Sequence, residues 1–582
     1  MAKLLLQYRL MRRLISINLL LFLPVLVSTA QDNFPKNYFR MPMNIPPRIS
    51  GNFGELRPNH FHAGLDFSTS NKEGIPVMAS AEGFVTRIKV GPYGYGRVLY
   101  VMHANGYVTV YAHLSKFNPG IGKYVEHEQY SRESFEVELF PRPGELPVKQ
   151  GQIMGYSGNT GSSGGPHLHF EIRDANTEEA LNPQLFGLPI SDSIPPTPQT
   201  LVVYELDGAA EVKGAKSGRK KITLKKSGQK YVFANPADSI VACGRIGFAM
   251  EGFDQEDTRH GKNGVYGMQV WKNDKLIYSH GFRKMGFDES RYINCYIDYP
   301  ELQTGKKYYQ KSFLAPNNKL PIYDSVVSKG QLLISGDSVY RIKYVLIDVN
   351  GNTAAAEFKI KGSGKNIMGQ SLAPKKWDQE NVLQSEHFRF VIPAGALYED
   401  EYLKSGSSRA AGATWPVVSL HNDKTPLQLP CSLTIKPAGR IPDSLASKLL
   451  VVEISPKGGR SSVGGVYENG QITTMIKEFG NYSVAPDTTA PSVKPANFDQ
   501  KGIQSGFAAL KYIGFTVSDN LSGIGSYKLY IDGKWVLLEY EPKKKLLYYS
   551  FDSRVGKGDH ELRLLVSDKK GNATEYKKKF TR

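Results

Sequence analysis

At 582 residues the chain is too long for one hydrophobic core, and three widely spaced cysteines exclude both a disulfide-rich framework and a cysteine metal site. The formal charge of +18 is spread over clusters such as "KSGRKKITLKK" (216–226), which suit solvated strands and loops, or attraction to an anionic envelope polymer or lipid surface. No nucleic-acid-binding module accompanies that charge. At the start, Lys3, Arg9, Arg12 and Arg13 precede the apolar run "LISINLLLFLPVLVSTA", and Ser28 and Ala30 occupy the small positions of a signal-peptidase site. The apolar run is short for a membrane span. We therefore expect a signal peptide over 1–30, cleavage before Gln31, and export to a periplasm or cell surface.

Beyond residue 30, short β-branched and aromatic runs are punctuated by Gly, Asn and Pro, and the expected fold class is mostly β. Seven of the twelve histidines (60, 62, 103, 113, 127, 167 and 169) fall in residues 31–190 and mark the chemical domain. There, "GRVLYVMHANGYVTVYAHL" predicts two strands around an Asn105-Gly106 hairpin turn, and "PVKQGQIMGYSGNTG" predicts another strand bounded by Gly-rich turns. The run 124–146, "YVEHEQYSRESFEVELFPRPGEL", reads as an insertion in which Pro141 and Pro143 oppose a continuous helix. Its flanks lead to the histidine motifs, so a lid over the site is expected; the alternative is a surface hairpin packed on the next domain. In "GGPHLHFEI" (164–172), Leu168, Phe170 and Ile172 alternate with His167, His169 and Glu171, a strand that aims both imidazoles one way.

Farther along, "SDSIPPTPQ" (191–199) resembles "PDTTAPSVKP" (486–495), and "GFAMEGFD" (247–254) resembles "GFTVSD" (514–519). Each copy ends in Asp-x-x-Gly-Asn, at Asp348 and Asn352 and again at Asp568 and Asn572. Two immunoglobulin-like sandwiches are expected, over 191–365 and 487–582, around a third β-sandwich of unclear type at 378–486. The repeated Asp and Asn suit calcium, but a turn that caps its own backbone uses the same residues and is the preferred reading. Cys243 and Cys295 are the candidate pair for a disulfide, with Cys431 left over and buried. His260, His280, His387, His421 and His560 read as surface or structural residues.

The chemistry centres on "NHFHAGLDF" (59–67), where His62 and Asp66 are spaced H-x-x-x-D. With His169 they supply two imidazoles and a carboxylate, the ligand set of a catalytic zinc with its fourth position left for water. His113 and His167 would then flank that water as a base or as charge-stabilising donors. His60 competes with His62 through its own H-x-H, Glu171 is a candidate partner for a ligand, and His103 reads as structural. "HFHAGLD", "VYAHLS", "GYSGNTG" and "GPHLHFEI", in that order, resemble the lysostaphin-type zinc metallopeptidases, metallopeptidase family 23, over about residues 48–190. The resemblance implies Zn2+ on His62, Asp66 and His169, and His113 and His167 as the catalytic histidines. It implies antiparallel sheets of the duplicated hybrid motif type with a groove across the larger one, and peptidoglycan cross-links as substrate. The reading is an exported zinc endopeptidase of peptidoglycan whose sandwiches position it or bind an envelope protein. The alternative is a non-hydrolytic regulator that binds another wall hydrolase through the groove.

Overall fold

A computed structural model describes residues 34–258, 261–364, 374–498 and 510–582; the leader expected at 1–30, and His260, lie outside the described residues. Strands dominate, and no helix among the described residues is long and apolar enough to cross a membrane. The histidine-rich part is built on β1 (Ile49–Gly51), β2 (Leu65–Ser68), β3 (Gly83–Val90), β4 (Arg97–Met102), β5 (Tyr107–Ala112), β6 (Val137–Leu139) and β7 (His167–Asp174). They run in the order β1-β2-β7-β5-β4-β3-β6 within a ten-stranded sheet. Leu65, Phe67, Leu168, Phe170 and Ile172 turn to the core and are fully buried. Each such side chain contributes about 1.5–3 kcal/mol, which pins the register of β2 on β7. A one-residue slip would turn the imidazoles into the core.

The insertion differs from its sequence reading. A helix, α1 (Pro119–Ser131), begins before it: Asn118 caps the start by accepting from Ile121 N at 2.8 Å, and Ile121, Val125 and Gln129 form the buried stripe. The chain then becomes β6, which pairs with β3 on the sheet edge remote from β1. This part of the chain is thus a helix and an edge strand, and three strands separate β6 from β7. It packs on the last sandwich of the chain instead of covering the histidines. Tyr130 meets Trp535 edge-on at 5.1 Å, and Arg554 pairs with Glu126 at 2.8 Å while its guanidinium lies 3.9 Å over the Tyr130 ring.

Between Thr197 and Gly362 the strands join in a twelve-stranded sheet with short helices at Ile293–Tyr296 and Tyr299–Gly305, a larger assembly than a plain immunoglobulin-like sandwich. Two five-stranded sheets follow between Asn381 and Pro486, and two four-stranded sheets between Ser492 and Thr581. The first of these units shares a core with the histidine domain: Phe53, Phe61 and Ala180 pack with Phe282, Met285, Tyr292 and Tyr296. Strand Lys284–Met285 also extends the ten-stranded sheet by pairing with Ala180–Leu181. The pairing that the sequence left open does not form: Cys243, Cys295 and Cys431 are free and buried, and burial pushes the Cys295 and Cys431 thiols up to about 12.

Candidate active site

His169 sits directly opposite Asp66 in the β2–β7 ladder, so both side chains leave the sheet on one face. His62 lies four residues before Asp66, on the turn that enters β2. His62 Nε2, Asp66 Oδ1 and His169 Nδ1 stand 2.9–3.0 Å from one another. Ligand atoms about 2.0–2.1 Å from a tetrahedral ion stand about 3.3 Å apart, so the three atoms already have nearly the span one metal requires. All three residues are buried. His60 is exposed and turns its ring to the Pro58 carbonyl, outside this group.

Each of the three is oriented from behind. His62 Nδ1 donates to the Asn52 carbonyl at 2.8 Å, leaving Nε2 as the free lone pair. His169 Nε2 donates to Glu171 Oε1 at 2.8 Å, leaving Nδ1 free. Glu171 is itself fixed by Arg173 Nε at 2.6 Å and by the Tyr95 hydroxyl. Burial opposes its charge, but Arg173 and His169 hold its carboxyl down to about 2. Arg57 donates to Asp66 Oδ2 at 3.0 Å, reserving Oδ1 for the cluster. Burial also opposes the charge on Asp66, yet the neighbouring His62, His167 and His169 rings keep its carboxyl well below the ordinary range.

His113 and His167 lie beside the cluster with ring centroids 4.8 Å apart. His113 follows β5 with φ of 60°, a left-handed conformation that swings its ring back over the sheet. Its Nδ1 donates to the Thr160 carbonyl at 2.9 Å, and His167 Nδ1 donates to the Gly165 carbonyl at 2.8 Å. Both rings therefore carry their proton on Nδ1 and keep Nε2 as an acceptor. Burial, then repulsion from His169 and His167, pushes His113 down to about 3, so it is neutral near pH 7. His103 is buried between the Glu82 carbonyl and Thr109 Oγ1, a structural histidine as expected.

The rim loop 158–163 depends on glycine for close approach. A Cβ on Gly158 would lie 2.4 Å from Ser115 N, and one on Gly161 would lie 2.3 Å from Gly94 O. The last sandwich grips this loop: Lys543 Nζ donates to the carbonyls of Asn159 and Ser163. Nearby, Arg97 pairs with Glu539 at 2.5 Å, and Tyr548 donates to the same carboxylate at 2.7 Å. Arg57, Asn52, Tyr95, Arg173 and Lys543 carry no sequence motif. Their roles arise from contacts that no local spacing encodes.

Residues 60–130 and 143–183 match the model for peptidase family M23, and residues 374–487 match that for a Zu5-like domain. The gap between the two matched peptidase segments falls within the insertion. The DD-carboxypeptidase/endopeptidase Mpg of Neisseria meningitidis is 35% identical over 155 residues, 25% of this chain and 29% of its own. The peptidoglycan DD-endopeptidase ShyA of Vibrio cholerae is 30% identical over 174 residues, 28% of this chain and 33% of its own. The catalytic domain of the antimicrobial peptidase lysostaphin from Staphylococcus simulans aligns at 28% identity and a TM-score of 0.18, over 24% of this chain and 91% of that one. The chain thus spans about a third of the length of the curated relatives it matches. It carries a peptidase family M23 domain and, C-terminal to it, a Zu5-like domain.

Proposed function

We propose that the chain is an exported zinc endopeptidase that hydrolyses peptide bonds in peptidoglycan stem peptides or cross-links. The observation that carries this is the convergence of His62 Nε2, Asp66 Oδ1 and His169 Nδ1 beside two further imidazoles whose Nε2 atoms are free to accept. Two nitrogens and one carboxylate oxygen form a donor set suited to zinc with an open position. Bound there, zinc supplies Lewis acidity toward a scissile carbonyl and a water. His113 Nε2 and His167 Nε2 accept the proton of the attacking water and pass it to the leaving amine. The carbonyls of Thr160 and Gly165 hold the two rings in the tautomer that this needs. Arg57, Asn52 and Glu171 keep the three donors in place.

The names of the M23 relatives support a wall substrate, and the basic leader at 1–30 supports export. In this reading residues 31–190 form the peptidase domain, and the units at 191–365, 378–486 and 487–582 position it or bind an envelope protein. Both histidines proposed as catalytic are intact, which favours hydrolysis over a purely binding role. The test is digestion of purified sacculi by the zinc-loaded chain, with the released muropeptides identified by mass spectrometry. New free termini within stem peptides or cross-bridges are expected. Sacculi left uncleaved by the zinc-loaded chain would overturn this reading in favour of a non-hydrolytic role.

A further inference from the structure

Three carboxylates converge where the linker from the peptidase domain enters the first sandwich. Ligand oxygens of Asp192, Asp254 and Asp348 all lie within 4.8 Å of one another. Asp254 is 5% exposed, and its Oδ1 has no hydrogen-bond partner; Asp192 Oδ2 has none either. A fourth side chain flanks Asp254. Asn263 is bridged to Asp254 in antiparallel register, so the two side chains share a face, and its Oδ1 is also without a partner although the residue is 3% exposed. Its Nδ2 is spent on Glu256. The charges that act most on Asp254 are other carboxylates, Asp192, Asp348 and Glu256. Burial together with these like charges pushes Asp254 up to about 8, and burial with the charges of Asp348 and Asp257 pushes Asp192 up to about 6.

The last sandwich repeats the arrangement with Asp487, Asp519 and Asp568, at matching places in the duplicated motifs. In both copies the final asparagine donates to the linker carbonyl: Asn352 to Asp192 O at 3.2 Å, Asn572 to Asp487 O at 2.9 Å. The copies differ at both variable turn positions, Val349 against Lys569 and Asn350 against Lys570, and the second bears on the carboxylates. The last sandwich has Lys570, whose ammonium is within electrostatic reach of Asp487 and Asp568. The first sandwich has Asn350 there, and the leading charges that act on Asp192 and Asp254 are all carboxylates.

We propose that Asp192, Asp254 and Asp348, with Asn263 Oδ1, form a calcium site that fastens the linker to the first sandwich and does there what Lys570 does in the last one. The donors are all oxygen, which selects a hard cation. Oxygens about 2.3–2.6 Å from one calcium ion lie at most about 5 Å apart, which accommodates the observed spacing. The residue after Asn263 is Gly264, whose backbone holds the Asn52 side chain behind His62, so calcium would also stiffen the support of the metal centre.

The test is calorimetric titration of the zinc-loaded full chain, freed of calcium, with calcium chloride. One calcium should bind with Kd on the order of 10⁻⁴ M. Asp254→Asn should abolish that binding. Asn350→Lys, on an exposed turn, should abolish it too while circular dichroism stays unchanged and the 191–199 linker resists protease without calcium. Absence of binding up to about 10 mM calcium, or undiminished binding by folded Asn350→Lys, would overturn the site. Should Asp254→Asn fail to fold, Asn350→Lys decides alone.

Discussion

Asn52 and Gly264, 212 residues apart, exchange two hydrogen bonds: Asn52 Nδ2 donates to Gly264 O at 2.7 Å, and Gly264 N donates to Asn52 Oδ1 at 2.9 Å. The main-chain carbonyl of the same Asn52 orients His62. Asn52→Ala should therefore weaken zinc affinity by about tenfold without touching a ligand, the usual scale for a residue behind a metal-binding histidine. Competition with a chelator measures this. Unchanged zinc retention would show that the loop holds its shape without the clamp.

Removing a donor and removing a proton carrier should be separable. His62→Ala or Asp66→Ala should lose metal and hydrolysis together. His113→Ala and His167→Ala should keep zinc and lose turnover by about 10²–10⁴-fold. Metal analysis beside single-turnover hydrolysis tells the classes apart, and a His113→Ala protein stripped of zinc would reassign that residue as a ligand.

Arg97 and Glu539 tie the peptidase domain to the last sandwich, with side chains 17% and 20% exposed. Glu539→Ala leaves Arg97 largely buried without its partner. The expected cost is about 2 kcal/mol, between the values for exposed and fully buried pairs. Adding Arg97→Ala should restore part of it. Urea unfolding of the single and double variants gives the coupling, and simple additivity would mean that the pair does not hold the domains together.

Replacing residues 126–144 with a short Gly-Ser linker removes the Tyr130, Glu126 and Glu136 contacts with the last sandwich. It should leave zinc in place and make the last sandwich easier to clip by protease. A lid would instead predict faster cleavage of small peptides with an unchanged protease pattern.

His280 is buried beside Tyr296; its Nδ1 has no partner, and burial pushes the imidazole down to about 3. The unfolded chain takes up its proton first, near pH 6.5. The contribution of this residue is thus complete above pH 6.5 and is lost as pH falls from there toward 3, by about 1.4 kcal/mol per unit. His280→Gln should flatten that part of the stability-against-pH curve measured by thermal unfolding, and an unaltered slope would place the acid sensitivity elsewhere.

The strands and the histidine cluster were legible because both rest on short-range pattern. Alternation in "HLHFEI" put His167 and His169 on one face, and the H-x-x-x-D spacing put His62 and Asp66 at one turn. The Asp-x-x-Gly-Asn hairpins were likewise readable as turns: Asp348 caps Asn350 N and Asn352 N at 2.9 and 2.8 Å. The insertion was harder to read. Pro141 and Pro143 bear on the chain after α1, whereas its helix start depends on Asn118 and Pro119, outside the segment that looked foreign. What surrounds the site, from Asn52–Gly264 to Lys543 on the rim loop, joins residues hundreds of positions apart through unremarkable side chains, so no window of sequence contains it.

That reach sets an order of events during synthesis. The imidazoles and carboxylate gathered in the histidine cluster have all been made by residue 169, but the backbone that steadies His62 arrives at Gly264 and the hand on the rim loop only at Lys543. A nascent chain therefore acquires the proposed catalytic cluster well before the frame that disciplines it. The interval in which one exists without the other is the time taken to make and fold everything in between.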